Sequence, residues 1–347
     1  MKAALYHQFK GHMAIEDVSD PKASENSVIL KVEATGLCRS DWHGWMGHDT
    51  DIELPHVPGH ELAGTIVEKG KGVKGFEIGD RVTVPFVGGC GHCEQCHGGN
   101  QQVCDNQFQP GFTHWGSFAE FVEIKYANEN LVKLPEEVSF ETAASLGCRF
   151  ITSYRAVVHQ GRVAPEQWVA IHGCGGVGLS AIMIAKAYGA QVIAVDINDE
   201  ALRLAQSIGA DHLINSAQTN PVEAVRTLTK GGAHVSMDAL GNKHITYNSI
   251  ANLRKRGRHL QVGLLAGKDF EPRLPMQLVV ANELEILGSH GMQAHAYPEM
   301  MQLISNGILR PELLIKETVS LSKGAQLLTK MDEFKSVGVN LITDFNR

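Results

Sequence analysis

The sequence has no surplus of positive charge: 31 Lys and Arg stand against 38 Asp and Glu, for a formal charge of −7. That argues against nucleic acid or an anionic membrane as the main partner. The one basic cluster, Arg254, Lys255, Arg256 and Arg258, reads as a solvated helix end ahead of a strand over 258–262. Residues 1–10 lack the apolar core of a secretory signal. The long apolar stretch 168–197 is no membrane span, because it contains Lys186 and is broken by Gly173, Gly175, Gly176, Gly178 and Gly189. Internal repeats and low-complexity segments are missing too. What these absences leave is a soluble, cytoplasmic globular protein. In that compartment the seven cysteines read as metal ligands rather than disulfides.

A chain of 347 residues exceeds the usual size of one hydrophobic core, so two domains are expected. From residue 1 to about 150 it reads as short β segments between glycine and proline turns, clearest at 27–34, 60–68, 81–84 and 117–124, with no long helix before 140–145. Past residue 150, strand-like runs (169–172, 191–195, 212–215, 234–239, 258–262, 283–287) alternate with helix-like ones (177–188, 200–208, 221–229, 245–253). Such alternation is the signature of βαβ units around a doubly wound parallel sheet. After Gly291 come helical segments and an apolar run, 337–342, that can return to the first domain. The expected division is a mainly β domain over 1–150, an α/β Rossmann-type domain over 151–290, and a return over 291–347.

The strongest local motif is Cys90-x2-Cys93-x2-Cys96-x7-Cys104, in a lobe spanning about 88–106. Four thiolates within 15 residues can close a tetrahedral zinc shell, and the glycines around them let the backbone wrap the ion. Ferredoxins share Cys-x2-Cys-x2-Cys, but their fourth cysteine follows after three residues and precedes proline, whereas Cys104 follows after seven and precedes Asp105. With four protein ligands such a site is closed, hence structural.

A second motif is Gly173-Cys174-Gly175-Gly176-Val177-Gly178, placed between an expected strand and helix, with Asp196 eighteen residues past Gly178. Alone, a glycine motif is weak. At a strand–helix junction, with an acid ending the next strand, it reads as a dinucleotide-binding turn. The glycines let a pyrophosphate approach backbone N–H groups at a helix N-terminus. Asp196 would accept from the ribose hydroxyls and repel a 2′-phosphate, which favours NAD over NADP.

Cys38, His60 and Cys148 are too far apart for spacing to say anything. A lone buried cysteine is more often packing than ligand. Their surroundings are more informative: Gly36-Leu37-Cys38-Arg39-Ser40-Asp41-Trp42-His43 and Pro58-Gly59-His60-Glu61 resemble the catalytic-zinc segments of the medium-chain zinc alcohol dehydrogenases. The cysteine lobe, Gly79-Asp80-Arg81-Val82 and the glycine turn follow in that family's order, so the resemblance covers essentially the whole chain.

The resemblance implies a GroES-like catalytic domain beside the Rossmann domain, two zinc ions per chain, NAD, a homotetramer, and an active site between the domains. It makes Cys38, His60 and Cys148 ligands of a catalytic zinc and leaves a fourth position for water or alcohol. Polyol-oxidising relatives usually have a carboxylate where Cys148 stands, so simple primary or secondary alcohols are favoured. Asp41 would fix the His60 tautomer and Glu61 would modulate the metal. Ser40 resembles the hydroxyl that takes the alcohol's proton, and His43 the end of the relay to solvent. Arg39 falls where the family sets a cation against the pyrophosphate, and Thr152 would lie beside the nicotinamide. Trp42, Trp45, Phe86, Phe112, Trp115 and His290 are candidate lining groups. The implied reaction is reversible, NAD-linked oxidation of an alcohol to an aldehyde or ketone. Two rivals are a zinc-free quinone or enone reductase of the same superfamily, and a non-enzymatic nucleotide-sensing scaffold whose zinc lobe is an interaction module.

Overall fold

Residues 1–265, 267–333 and 337–346 are described by a computed structural model. They form two units, one of Met1–Ile151, Gly291–Gly307 and Pro311–Arg347, the other of Thr152–His290 and Ile308–Arg310.

The first unit is built on a sheet with the order Ile315–Ser320, Val339–Asp344, Val28–Gly36, Leu62–Lys69, Arg81–Thr83, Val132–Lys133, with Phe121–Ile124 also paired to Val28–Gly36. Val28, Ile29, Leu30 and Val32 supply a buried β-branched and aliphatic run to the central strand. The C-terminal strand runs antiparallel to it, Leu341 opposite Gly36 and Ile342 opposite Thr35. Around the sheet lies a core that includes Tyr6, Leu30, Leu62, Ile66, Phe118, Ile124 and Leu328. Two expected strands are shorter than their apolar pattern suggests. The segment 60–68 becomes Leu62–Lys69, with Leu62 opposite Thr35 at its start and the buried His60 and Glu61 just ahead of it. The segment 117–124 becomes Phe121–Ile124, because Ser117 and Phe118 donate instead to the carbonyls of Gly59 and Pro58.

The second unit has a six-stranded sheet in the order His212–Asn215, Gln191–Asp196, Trp168–His172, Ala233–Asp238, Leu253–Gln261, Glu285–Gly288. Every pairing in it is parallel. In chain order the strands read 3-2-1-4-5-6, the doubly wound arrangement, whose ligand crevice lies at the carboxyl ends of the strands where the order reverses. Three helices start on asparagine: Asn198, Asn220 and Asn242 each accept a backbone N–H of the first turn of Asp199–Ser207, Pro221–Leu228 and Lys243–Ala251.

The basic cluster lies elsewhere than expected. Arg254, Lys255, Arg256 and Arg258 do not end a helix but lie within the strand Leu253–Gln261. The pairing jumps from Ala233↔Leu253 to Val235↔Arg258, and Arg256 takes φ 60°, so a bulge carries the extra residues. Internal partners occupy part of the cluster: Arg254 donates to the Gly232 carbonyl and lies 2.6 Å from His234 Nε2, and Arg256 meets Glu283.

Candidate active site

Cys38 stands at the N-cap of the helix Arg39–Trp45 in extended conformation. The helix is held to the segment 59–60 by one buried carboxylate. Asp41 Oδ2 accepts from Cys38 N (3.1 Å), while Oδ1 accepts from Gly59 N (3.0 Å) and His60 Nδ1 (2.8 Å). With its Nδ1 proton committed to Asp41, His60 presents Nε2 inward, fully buried and, among the described residues, without a hydrogen-bond partner within normal geometry.

Cys148 reaches the same place from another direction. The helix Phe140–Ser145, capped by Ser139, continues into a π-turn over Leu146–Phe150, a widened turn of the kind that often marks functional sites. Donor atoms of Cys38, His60, Glu61 and Cys148 all lie within 4.8 Å of one another. The Cys148 thiol hydrogen-bonds to Cys38, which holds the Cys38 thiol well below its ordinary pKa, with His60 and Arg149 adding to the effect. The same bond, with burial, pushes Cys148 up. Burial opposes charge on His60, but Asp41 and Cys38 override it and raise its pKa. Two thiols sharing a proton and a buried imidazole nitrogen make a donor set that fits a borderline-soft cation such as zinc, whose binding displaces those protons.

Glu61 is engaged by its neighbours. Oε1 accepts from Cys148 N (3.1 Å) and Arg149 N (3.3 Å), and Oε2 pairs with the Arg149 guanidinium, which also donates to Leu37 O. Burial raises its pKa to about 7 against the pull of Arg149. Gly147 gives it room, since a Cβ there would overlap the Glu61 side chain. Arg149 was not among the residues expected from the sequence; no spacing rule connects it to Glu61.

Ser40 lies half-buried in the first helical turn. Arg39 is exposed, stacked 4.3 Å over the Trp42 ring and paired with Asp332. His43, half-buried, faces His48. Phe86 and Phe112 flank the His60 ring at 6.0 and 5.1 Å. Trp42 packs in the core, Trp45 donates to Gly11 O and Trp115 to Pro55 O; His290 belongs to the second unit.

The sulfurs of Cys90, Cys93, Cys96 and Cys104 also lie within 4.8 Å of one another. Cys93 caps the helix Glu94–His97, and the Cys96 N–H, first among its donors, draws its pKa to about 6; burial pushes Cys104 to about 12. Four sulfurs with no other donor type fit a closed zinc shell. Asn130, also unforeseen, anchors the lobe by exchanging two hydrogen bonds with Gly89.

In the second unit Gly173 takes φ 95° and Gly175 precedes the helix Gly176–Ala187. A Cβ on Gly178 would overlap the Gly173 carbonyl, so the third glycine lets the turn close on the helix. Ser153 Oγ donates to Val177 O, next in sequence to buried Thr152. Asp196 accepts from Cys174 N (2.6 Å) and Asn198 N (2.9 Å), which ties the end of its strand to the turn. Space beside Gly175 and a carboxylate at the next strand's end fit a dinucleotide. Two strands over, buried Asp238 accepts from Leu240 N, Gly241 N, Thr246 Oγ1 and Gln261 Nε2 and so fixes the loop after Ala233–Asp238 at the same sheet end.

A zinc-binding dehydrogenase family model matches residues 176–306, and an alcohol dehydrogenase GroES-like domain model matches 24–136. An alcohol dehydrogenase of Geobacillus stearothermophilus is 34% identical over 341 residues, covering 97% of each chain. An NAD-dependent alcohol dehydrogenase of Sulfurisphaera tokodaii is 34% identical over 349 residues, covering 97% of this chain and 98% of its own. The solved alcohol dehydrogenase of Thermus sp. ATN1 superposes with a TM-score of 0.91 at 29% identity, covering 99% of this chain and all of its own.

Proposed function

Because the chain belongs to the medium-chain, zinc-dependent alcohol dehydrogenase family, we propose that this oxidoreductase oxidises primary or secondary alcohols reversibly to aldehydes or ketones, with NAD as its cofactor and two zinc ions per chain. The observation that carries the reading is the convergence of Cys38, His60 and Cys148, with Asp41 committing the His60 proton. When bound, zinc supplies Lewis acidity at the alcohol oxygen and NAD supplies the hydride acceptor.

This chain's own residues do the rest. Cys38, His60 and Cys148 hold the catalytic ion, and Cys90, Cys93, Cys96 and Cys104 the structural one. Asp41 keeps His60 in the tautomer that offers Nε2. Glu61, anchored by Arg149, sets the charge beside the ligands. Ser40 takes the alcohol's proton, and His43 delivers it to solvent. Gly173, Gly175, Gly176, Val177 and Gly178 receive the pyrophosphate, aided by Arg39, while Asp196 receives the ribose and Thr152 orients the nicotinamide. Phe86 and Phe112 exclude water around His60.

The substrate is a small alcohol rather than a polyol, in keeping with a thiol at position 148. Copies of the chain assemble, as a tetramer. This is supported by the edge strand Glu285–Gly288 and by the exposed apolar side chains of Phe270, Met276 and Val280 beside it in sequence. Free cysteines at all seven positions suit the reducing cytoplasm. No helix among the described residues is long and apolar enough to cross a membrane.

The deciding experiment is formation of reduced cofactor, with NAD, against a panel of primary, secondary, aromatic and polyol alcohols. Turnover confined to enones or quinones, or absent throughout in zinc-loaded protein, would overturn the reading.

A further inference from the structure

The helix Arg39–Trp45 ends in a defined cap. Gly47 N donates to Gly44 O (2.9 Å) and His48 N to His43 O (3.0 Å), the two bonds of a Schellman motif. Gly47 takes φ 77°, the left-handed conformation this cap requires. The motif folds the residue after the glycine back over the one five positions earlier, usually as an apolar contact. Here both residues are histidine. Their rings lie 5.3 Å apart, Nδ1 faces Nδ1 at 3.0 Å, and Trp42 packs edge-on against both. His43 is half-buried and His48 exposed, so the pair runs from the interior to water. A hydrogen bond between two Nδ1 atoms needs one protonated and one bare nitrogen, which leaves each ring's Nε2 outside that bond.

We propose that His48 is the outer half of a two-histidine proton relay, taking from His43 the proton released during alcohol oxidation and passing it to solvent. This rests on the role given above to His43. A proton arrives at His43 Nε2, the His43 Nδ1 proton moves to His48 Nδ1, and His48 Nε2 releases its proton to water. Each N–H bond formed is matched by one broken, and no electrons are transferred. Each ring then returns to its starting tautomer by taking a proton from water at its bare nitrogen and giving one to water from the other.

The charged and titratable groups about the pair are Cys38 and Arg39 at the start of the same helix, Asp49 beside His48, and Asp332 paired with Arg39. Burial lowers the His43 pKa, and His48 and Arg39 lower it further, which keeps the inner ring a neutral acceptor and favours passing charge outward.

The test is kcat and kcat/KM for alcohol oxidation against pH, in buffers of varied imidazole content, for the zinc-loaded wild type, His43→Ala, His48→Ala and His48→Gln, with circular dichroism and melting as folding controls. Glutamine can hydrogen-bond at the cap but cannot relay a proton, so it keeps the test alive if the alanine variant fails to fold. Both His48 variants are expected to lose roughly three- to tenfold in rate near pH 6–7, a small share of what a placed acid–base group supplies. They should converge on wild type at higher pH and recover with imidazole. A wild-type profile for the His48 variants beside an altered one for His43→Ala overturns the relay and leaves the role of His43 standing. Wild-type profiles for all three remove His43 as well. A loss uniform in pH with no imidazole recovery assigns His48 a structural role and also overturns the proposal.

Discussion

Arg149 and Glu61 form an ion pair inside the first unit, where Glu61 is fully buried and Arg149 is 8% exposed. The pair sits against Cys38 and Cys148, so a positive and a negative side chain accompany the thiols. Taking two charges out of water is expensive, and only their mutual attraction and the added bonds to Leu37 O and two backbone N–H groups offset it.

Removing one partner strands the other. Arg149→Met should therefore destabilise the protein by about 3–5 kcal/mol, the usual consequence of leaving a buried charge unpaired. Arg149→Met with Glu61→Gln should cost clearly less than the two single changes added together. Denaturant unfolding of the four proteins at fixed zinc checks this. Strict additivity would mean that the two side chains are not coupled.

The sequence makes some parts of this molecule legible and hides others, and the difference is physical. Strands of the second unit follow local periodicity, so the run 212–215 coincides with His212–Asn215 and 191–195 stops one residue short of Gln191–Asp196. The four-cysteine lobe can be read because its ligands lie within fifteen residues. The helix Arg39–Trp45 could not, since seven residues give no helical period and Asp41 fixes it through contacts to Gly59 and His60. Likewise the π-turn carrying Cys148 and the place of Arg149 depend on Glu61, 87 and 88 positions away. Nothing local in the sequence encodes that pairing. Only the family resemblance linked Cys38, His60 and Cys148 before the fold brought them together.

Buried His172 gives a pH dependence. Its Nε2 lies 2.6 Å from the Asn252 amide, and burial lowers its pKa to about 4 against the weaker pull of Asp238. A depressed folded-state value means that the unfolded chain binds the proton more tightly. The contribution is therefore complete above about pH 6.5 and is lost as pH falls toward 4, roughly 3 kcal/mol in all. His172→Gln should melt less steeply with acid than wild type between about pH 6.5 and 4. Some slope will persist, because burial also depresses His56 and His259. Parallel curves for the two proteins would refute the assignment.

The two donor clusters should behave differently on mutation. Elemental analysis of purified protein is expected to give about two zinc ions per chain, one open and one closed. Cys148→Ser should abolish turnover while the protein stays folded. Cys104→Ser should mainly lower the melting temperature, since a structural zinc contributes folding energy. A reproducible single zinc in fully active protein would contradict the two-site reading.

Cofactor choice turns on Asp196. Two of its lone-pair sites are taken by the N–H groups of Cys174 and Asn198, and a carboxylate has about four, so two remain for the ribose hydroxyls. Charge-assisted bonds of this kind contribute about 1.5–3 kcal/mol each. The same carboxylate would repel a 2′-phosphate, and Ile197 and Asn198 bring no cation to compensate. Wild type should therefore prefer NAD over NADP by at least about 100-fold in kcat/KM, on the order of 3 kcal/mol. Asp196→Gly with Ile197→Arg should lower kcat/KM for NAD and raise it for NADP. Because Asp196 also ties the glycine turn to its strand, the double variant should melt lower than wild type. Its NADP activity should stay below the wild-type activity with NAD. Steady-state kinetics with both cofactors at saturating alcohol decide the matter: if wild type used NADP as readily as NAD, Asp196 could not hold the ribose.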